Sequence, residues 1–243
     1  MRSEAEQQLQ VSDNIGKIFI DSSDSLAVKI QNFPKYVRIR DLKRFLALYE
    51  IFKLVVPVKG SIVECGVYKG FGLMAWAKIS SILEIENTGR RIYGFDTFRG
   101  FPSVNRCDQS FFKQTSPGEL NADSYEELIR LIDEYDSDRW LGHIEKVQLI
   151  RGDMIDTIPE FINRNQHIVV SLLALDCDLS EPTRIAIQQF LPRMPKGAAI
   201  VFDELDKPIW PGETVAVLET IGIRNLRIRR SEWFPCISYA VLE

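Results

Sequence analysis

An apolar run, Ile168-Val-Val-Ser-Leu-Leu-Ala-Leu175, stops abruptly at two carboxylates, Asp176 and Asp178. The run has the length of a strand, and it is apolar on both faces, the pattern of a strand buried inside a parallel sheet. Such a sheet binds ligands beyond the C-terminal ends of its strands, so these acids stand where chemistry is done. The unit recurs along the chain. Ser61-Ile-Val-Glu-Cys65 runs into a glycine-rich turn, and Arg91-Ile-Tyr-Gly-Phe-Asp96 ends in an acid. Lys146-Val-Gln-Leu-Ile-Arg151 precedes Asp153, and Ala198-Ala-Ile-Val-Phe202 precedes Asp203 and Glu204. Helical segments separate these runs at residues 42–56, 73–84, 124–141, 158–163, 184–191 and 212–221. Ser124 and Glu127 form a capping-box pattern at the third of them. Segments 226–230 and 236–242 read as a final antiparallel pair of strands. Alternating strands and helices with right-handed crossovers predict an α/β fold, a doubly wound, mostly parallel, seven-stranded sheet of Rossmann-like kind. Residues 1–56 form an N-terminal arm and helix, partly helical or loose over 1–33. Residues 57–243 form the sheet domain.

Bulk properties exclude several classes. The 243 residues support one sizeable domain, and a net charge of -4 leaves no basic footprint for nucleic acid. No run approaches the ~18 apolar residues of a membrane span. Residues 1–12 are polar and lack a signal-peptide core. The four cysteines, Cys65, Cys107, Cys177 and Cys236, show no CxxC pair, and two histidines make a poor basis for a zinc or triad enzyme. A reducing cytoplasm is the expected compartment.

The chemistry-bearing residues gather at the strand ends. Asp176, Asp178, Asp203 and Glu204 put four carboxylates on two strand tips with no neutralising base nearby, which points to a hard metal ion. Asp178 falls on the opposite face from Asp176 by simple alternation, so it reaches the same site only if the chain turns there. Glu64, Gly66 and Gly70 form an E-x-G-x-x-x-G turn, not the dinucleotide pattern. An acid beside a glycine turn suits S-adenosylmethionine, which has no phosphate to place and whose ammonium and hydroxyls want acceptors. Asp96, at the end of the second strand, is placed to accept ribose hydroxyls. Asp153 either caps the next helix or receives an adenine amino group. Residues 97–124 make a long loop of the kind that covers substrates. Its Phe98, Phe101, Phe111 and Phe112 either line a pocket or tie the loop down. A DxD after an apolar strand also occurs in nucleotide-sugar glycosyltransferases, and a non-catalytic S-adenosylmethionine-binding protein is a third reading.

Five ordered motifs resemble the macrocin O-methyltransferase family. They are Val63-Glu-Cys-Gly-Val-Tyr-Lys-Gly70, Gly94-Phe-Asp-Thr-Phe-Arg-Gly-Phe-Pro102, Arg151-Gly-Asp153, Leu175-Asp-Cys-Asp-Leu179 and Val201-Phe-Asp-Glu204. Phe33-Pro-Lys-Tyr-Val-Arg38 and Trp210-Pro-Gly-Glu213 also fit, so the resemblance covers roughly residues 33–242. It implies a class I methyltransferase fold, S-adenosyl-L-methionine and Mg2+ as cofactors, and a sugar-bearing small molecule as acceptor. The residues expected around the methyl donor are Glu64, Gly66, Gly70, Asp96, Thr97 and Asp153. The resemblance makes Asp176, Asp203 and Glu204 the metal ligands and Asp178 the general base. Two departures stand out: the acidic pair, commonly Asp-Asp, is Asp203-Glu204, and a tyrosine frequent in the family is Ser180 here. The resemblance also implies assembly through the N-terminal region, with a homodimer expected.

Overall fold

A computed structural model describes residues 4–243, with side chains from residue 7 onward. It divides into two compact units, one running to Leu46 and the other from Ala47 on. The boundary falls inside a helix, α3 (Ile39–Val55).

The first unit contains α1 (Glu4–Asp21), α2 (Leu26–Gln31), the turn Phe33–Lys35 and the start of α3. Residues 1–3 of the segment expected to be partly loose lie outside the described residues; from Glu4 the chain is helical. Ser25 caps α2, its hydroxyl accepting the Val28 amide at 3.4 Å. Arg38 donates to Ser12 Oγ at 2.6 Å and to the side chain of Gln8, while Phe19 and Tyr36 meet edge to face at 4.9 Å. Ile18, Ile20, Leu26, Ile30 and Ile39 are exposed.

The second unit is the sheet domain. Its elements are β1 (Ser61–Cys65), α4 (Phe71–Leu83), β2 (Ile92–Asp96), α5 (Tyr125–Asp138), β3 (Val147–Arg151), α6 (Met154–Arg164), β4 (Val170–Leu175), α7 (Ser180–Phe190), β5 (Ala199–Phe202), α8 (Gly212–Thr220), β6 (Arg229–Arg230) and β7 (Ser238–Val241). The strand order is β3-β2-β1-β4-β5-β7-β6. β1 to β5 are parallel, and β7 runs antiparallel to both β5 and β6. The expected seven-stranded, doubly wound sheet is present, and its order reverses between β1 and β4. That reversal opens a crevice at the strand C-termini.

Helices cover both faces because the central strands are buried on both. Val63 and Cys65 of β1 join Phe95, Leu173, Leu175 and Phe202 in a core shared with Ile158, Phe161, Ile187 and Phe190 of α6 and α7. Phe95 is fully buried, with its ring 5.2 Å from Phe161 and 5.8 Å from Phe190. On the other face Trp76 of α4 stacks on Phe52 of α3, and the Tyr135 hydroxyl of α5 donates to Ala77 O of α4 at 2.9 Å. Arg90 closes the far end of the sheet. It is 2% exposed, pairs with Glu84 at 2.8 Å, and donates to the carbonyls of Val55, Val56 and Val58.

α3, α4, α6 and α7 start two to four residues earlier than the sequence reading, and the cap of α5 differs from it. α6 begins at Met154, with Asp153 as its cap and Pro159 tolerated inside it. The Ser124 hydroxyl makes no cap bond at α5; it donates instead to the carbonyl of Tyr68 in the β1–α4 turn. A tertiary acceptor thus displaces the local capping box.

Candidate active site

A cleft lies at the C-terminal ends of β1, β2 and β4. Its walls include Gly66, Tyr68, Asp96, Thr97, Asp153, Asp176 and Asp178. The β2–α5 loop covers it with Phe101, Asn105 and Asp108.

The β1–α4 turn owes its glycines to packing within the protein. Gly66 has φ +95°, and a Cβ there would lie 1.9 Å from the carbonyl oxygen of Asp176. The turn of β1 therefore rests directly on the tip of β4, an approach that only glycine permits. Gly70, also left-handed, caps α4 and abuts Leu128, outside the cleft wall. Glu64 is 3% exposed, and a Cβ on Gly72 would lie 2.5 Å from its Oε2. Its carboxylate is thus pressed against the first turn of α4, and it does not line the cleft.

Asp96 organises two loops. Its Oδ2 accepts the amides of Val67 and Tyr68 at 2.8 and 2.7 Å, and its Oδ1 accepts the Phe98 amide at 2.7 Å. Thr97 bonds the carbonyl of Gly100 at 2.7 Å, tightening the start of the covering loop. Asp153 accepts the Ile155 amide at 3.0 Å while also facing the cleft, so capping and lining coincide in one residue. The loop phenylalanines divide: Phe98 and Phe101 are buried, and Phe101 lines the cleft, whereas Phe111 and Phe112 are exposed.

The acids at β4 and β5 converge. Carboxylate oxygens of Asp176, Asp203 and Glu204 lie within 4.8 Å of one another. Strand β4 ends at Leu175, and Asp178 sits in a left-handed turn at φ +61°. This turn supplies the departure from strand alternation that Asp178 needs to face the same cleft as Asp176. Burial, and then the charge of Asp203, push the Asp178 carboxyl up to about 7. Burial likewise raises Glu204 to about 8, with Lys207 opposing and Asp178 and Asp203 reinforcing the shift.

A base does neutralise this cluster, contrary to the sequence expectation. Lys207 Nζ lies 2.8 Å from Glu204 Oε1 and 3.6 Å from Asp203 Oδ2. Residues 204–207 form a tight turn, with the Lys207 amide bonded to Glu204 O at 3.1 Å, which folds the lysine back onto the acids. Even so, Glu204 Oε2 is buried with no hydrogen-bond partner among the described residues. Convergent carboxylate oxygens, one of them orphaned, make a donor set suited to a hard divalent cation.

Three participants escaped the sequence reading. Glu213 is fully buried and accepts the Glu204 amide at 3.1 Å, and burial and the neighbouring acids push its carboxyl well above the usual carboxylate range. Lys207 was visible only as a lysine three residues after Glu204. Asp108, in the long loop, bonds the amide of Ser180 at 2.7 Å from 72 residues away in the chain.

The structure matches that of the calicheamicin methyltransferase CalS11 with a TM-score of 0.92 at 29% identity, covering 99% of this chain and 94% of that one. An apo structure of CalS11, described as a TDP-rhamnose 3'-O-methyltransferase, matches at 0.84 with 28% identity over 99% and 96%. The O-methyltransferase NovP matches at 0.64 with 22% identity over 82% and 79%, which speaks to the fold alone. No curated protein sequence matches significantly. Residues 38–219 match the family model described as macrocin-O-methyltransferase (TylF), so the chain belongs to that family and is an O-methyltransferase with the class I methyltransferase fold.

Proposed function

We propose that the chain methylates a hydroxyl of a sugar or sugar-bearing small molecule, with S-adenosyl-L-methionine as donor and Mg2+ bound at the acid cluster. The observation that carries this reading is that Asp176 belongs at once to the cleft wall and to the convergent cluster with Asp203 and Glu204. One residue thus joins a space for small molecules to a donor set for a hard cation. The relative CalS11 is described as acting on TDP-rhamnose, which favours a nucleotide-linked sugar as the first acceptor to try.

In this reading Gly66, Asp96, Thr97 and Asp153 form the donor's side of the cleft, while Glu64 and Gly70 act through the shape of the β1–α4 turn. Asp176, Asp203 and Glu204 hold the cation, which when bound stabilises negative charge developing on the acceptor oxygen. Asp178 takes the hydroxyl proton as that oxygen bonds the methyl carbon and the carbon–sulfur bond of the donor breaks. The electron pair of that bond leaves with sulfur as S-adenosylhomocysteine, and Asp178 later returns its proton to water. A carboxyl raised to about 7 suits this role, because a base works best with a pKa near the working pH. Phe101 and the covering loop exclude water, and holding methyl and oxygen together supplies much of the acceleration. Exposed Ile18, Ile20 and Leu26 favour self-association of the N-terminal unit. Sedimentation of the full chain tests that.

Calorimetry with S-adenosylmethionine comes first. No binding at millimolar concentration defeats the donor assignment. Methyl transfer is then assayed over nucleotide sugars and glycosides by the gain of one methyl group in mass. Asp178→Asn is expected to abolish turnover while retaining donor binding, and unchanged turnover would remove Asp178 as the base.

A further inference from the structure

The covering loop packs Phe101 and Lys113 on Trp210, and a separate short turn ties it to α7. Asn105 to Asp108 make a tight turn in which Asp108 Oδ2 accepts the Asn105 amide at 2.7 Å and Oδ1 accepts the Ser180 amide at 2.7 Å. Ser180 is the first residue of α7, two positions beyond Asp178. The Cys107 thiol meets the Ser180 hydroxyl at 2.9 Å, so Ser180 is gripped through both backbone and side chain. Asp108 is 2% exposed and Ser180 is fully buried. The third wall is Gly212, the first residue of α8, where a Cβ would lie 2.4 Å from Asp108 Oδ1, 2.7 Å from Ser180 N and 2.8 Å from Asp178 O. Three loops therefore meet at the backbone that carries Asp178. The left-handed turn at Asp178 has a conformational cost for a non-glycine residue and needs such support.

We propose that Asp108 is a positioning residue: it latches the β2–α5 loop onto the first turn of α7 and thereby holds the Asp178 turn in the shape methyl transfer requires. The catalytic half of this statement rests on the function proposed above. The latch itself rests on contacts alone. Asp108 lines the cleft, but both its carboxylate oxygens are taken by the Asn105 and Ser180 amides, so it acts through the Ser180 amide and the closure of the loop over Asp178.

Cys107 is a built-in reporter, because its thiol is engaged only while the latch is closed. The test uses the full chain carrying Cys236→Ser, so that the exposed thiol does not interfere; Cys65 and Cys177 are buried. Asp108→Ala removes both acceptors. Asp108→Asn keeps one oxygen for Ser180 but turns an amino group toward the Asn105 amide. Three quantities are measured: the alkylation rate of Cys107, the affinity for S-adenosylhomocysteine by calorimetry, and kcat and KM for methyl transfer to TDP-rhamnose or the best acceptor found. For Asp108→Ala, Cys107 alkylation is expected to rise at least tenfold and kcat to fall at least tenfold. The KM for the methyl donor and the affinity for S-adenosylhomocysteine should stay within threefold, with Asp108→Asn intermediate throughout. Unchanged alkylation in Asp108→Ala overturns the latch. Raised alkylation with unchanged kcat overturns the positioning role. Loss of S-adenosylhomocysteine binding together with kcat marks a merely structural residue and also overturns it. If the parent methylates nothing, the functional reading fails, and the positioning role falls with it, while alkylation alone still decides the latch.

Discussion

Replacing Lys207 with methionine should tighten divalent-cation binding while weakening the cation-free protein. The ammonium pairs with Glu204 at 2.8 Å and stands 3.6 Å from Asp203, on two of the three proposed ligands. Its side chain is 26% exposed and that of Glu204 is 9%. The pair is therefore better sheltered than a surface ion pair, worth ~0–1 kcal/mol, and it is charge-assisted, a class worth ~1.5–3 kcal/mol. A figure of about 1.5 kcal/mol is the reasonable middle. A cation entering the cluster must break or repel this pair, so Lys207→Met, which keeps most of the apolar stem, removes that competition. A difference of ~1.4 kcal/mol is tenfold in affinity, so Mg2+ and Mn2+ should bind about tenfold more tightly. The titration is run as a pH series through 9 and above, because Glu204 stands at about 8 with Lys207 opposing its rise, and removing the lysine raises it further in the variant. Lys207 remains charged near pH 9, since Asp203 and Glu204 raise it above its ordinary value despite the opposing effect of burial. Without cation the variant should melt a few degrees lower, at roughly 2–4 °C per kcal/mol for a chain of this size, and saturating Mg2+ should close the gap. Equal or weaker cation binding by Lys207→Met would refute the reasoning: the lysine would then be no competitor, or the cation would bind elsewhere.

Three further outcomes follow from other parts of the molecule. Asp178 and Glu204 have folded values raised to about 7 and about 8 by burial. The folded state therefore holds more protons than the unfolded chain above the ordinary carboxylate range. The cation-free protein should lose stability as pH rises from about 4 to about 8, and thermal melts in a pH series with and without Mg2+ should show that slope shrinking when the cation is present. Gly72→Ala places a methyl 2.5 Å from the buried carboxylate of Glu64. It should cost ~1–3 kcal/mol of overpacking in urea denaturation and weaken S-adenosylhomocysteine binding by distorting the β1–α4 turn; wild-type values for both would remove Glu64 as a constraint on that turn. Arg90→Met strips a buried ion pair and three carbonyl partners at the end of the sheet away from the cleft. It should destabilise by ~3–5 kcal/mol with donor affinity unchanged in the folded fraction, and a loss below 1 kcal/mol would contradict its bracing role.

The sheet was legible because each central strand is a short apolar run with a chemical punctuation mark at its C-terminal tip. β6 is the exception: Arg229 and Arg230 are exposed, and pairing with β7, not composition, makes them a strand. The cluster of acids was legible from two strand tips, since adjacent parallel strands β4 and β5 bring their ends together; singling out Asp176, Asp203 and Glu204 as ligands rested on the family resemblance. Lys207 was not legible, because the turn that folds it back leaves no periodic mark. Asp108 was less visible still: in sequence it is one acid in an aperiodic loop, and its partner amide is contributed by a helix 72 residues away. Ser124 misled for a related reason. Its capping-box spacing is genuine, but the carbonyl of Tyr68 claims the hydroxyl. Local patterns lose wherever a buried long-range partner offers a better bond.

Asp96 has one more consequence. A carboxylate offers about four acceptor positions, and Asp96 already spends three, on the amides of Val67, Tyr68 and Phe98. A diol seeking both oxygens finds one vacancy, so its arrival must loosen an amide or be content with a single bond. The carboxylate is therefore a shared joint, and whatever pulls on it from the cleft side is felt in two loops at once. The exchange of those three amide protons with solvent would then report occupancy of the cleft from inside the backbone, with no label attached to the ligand.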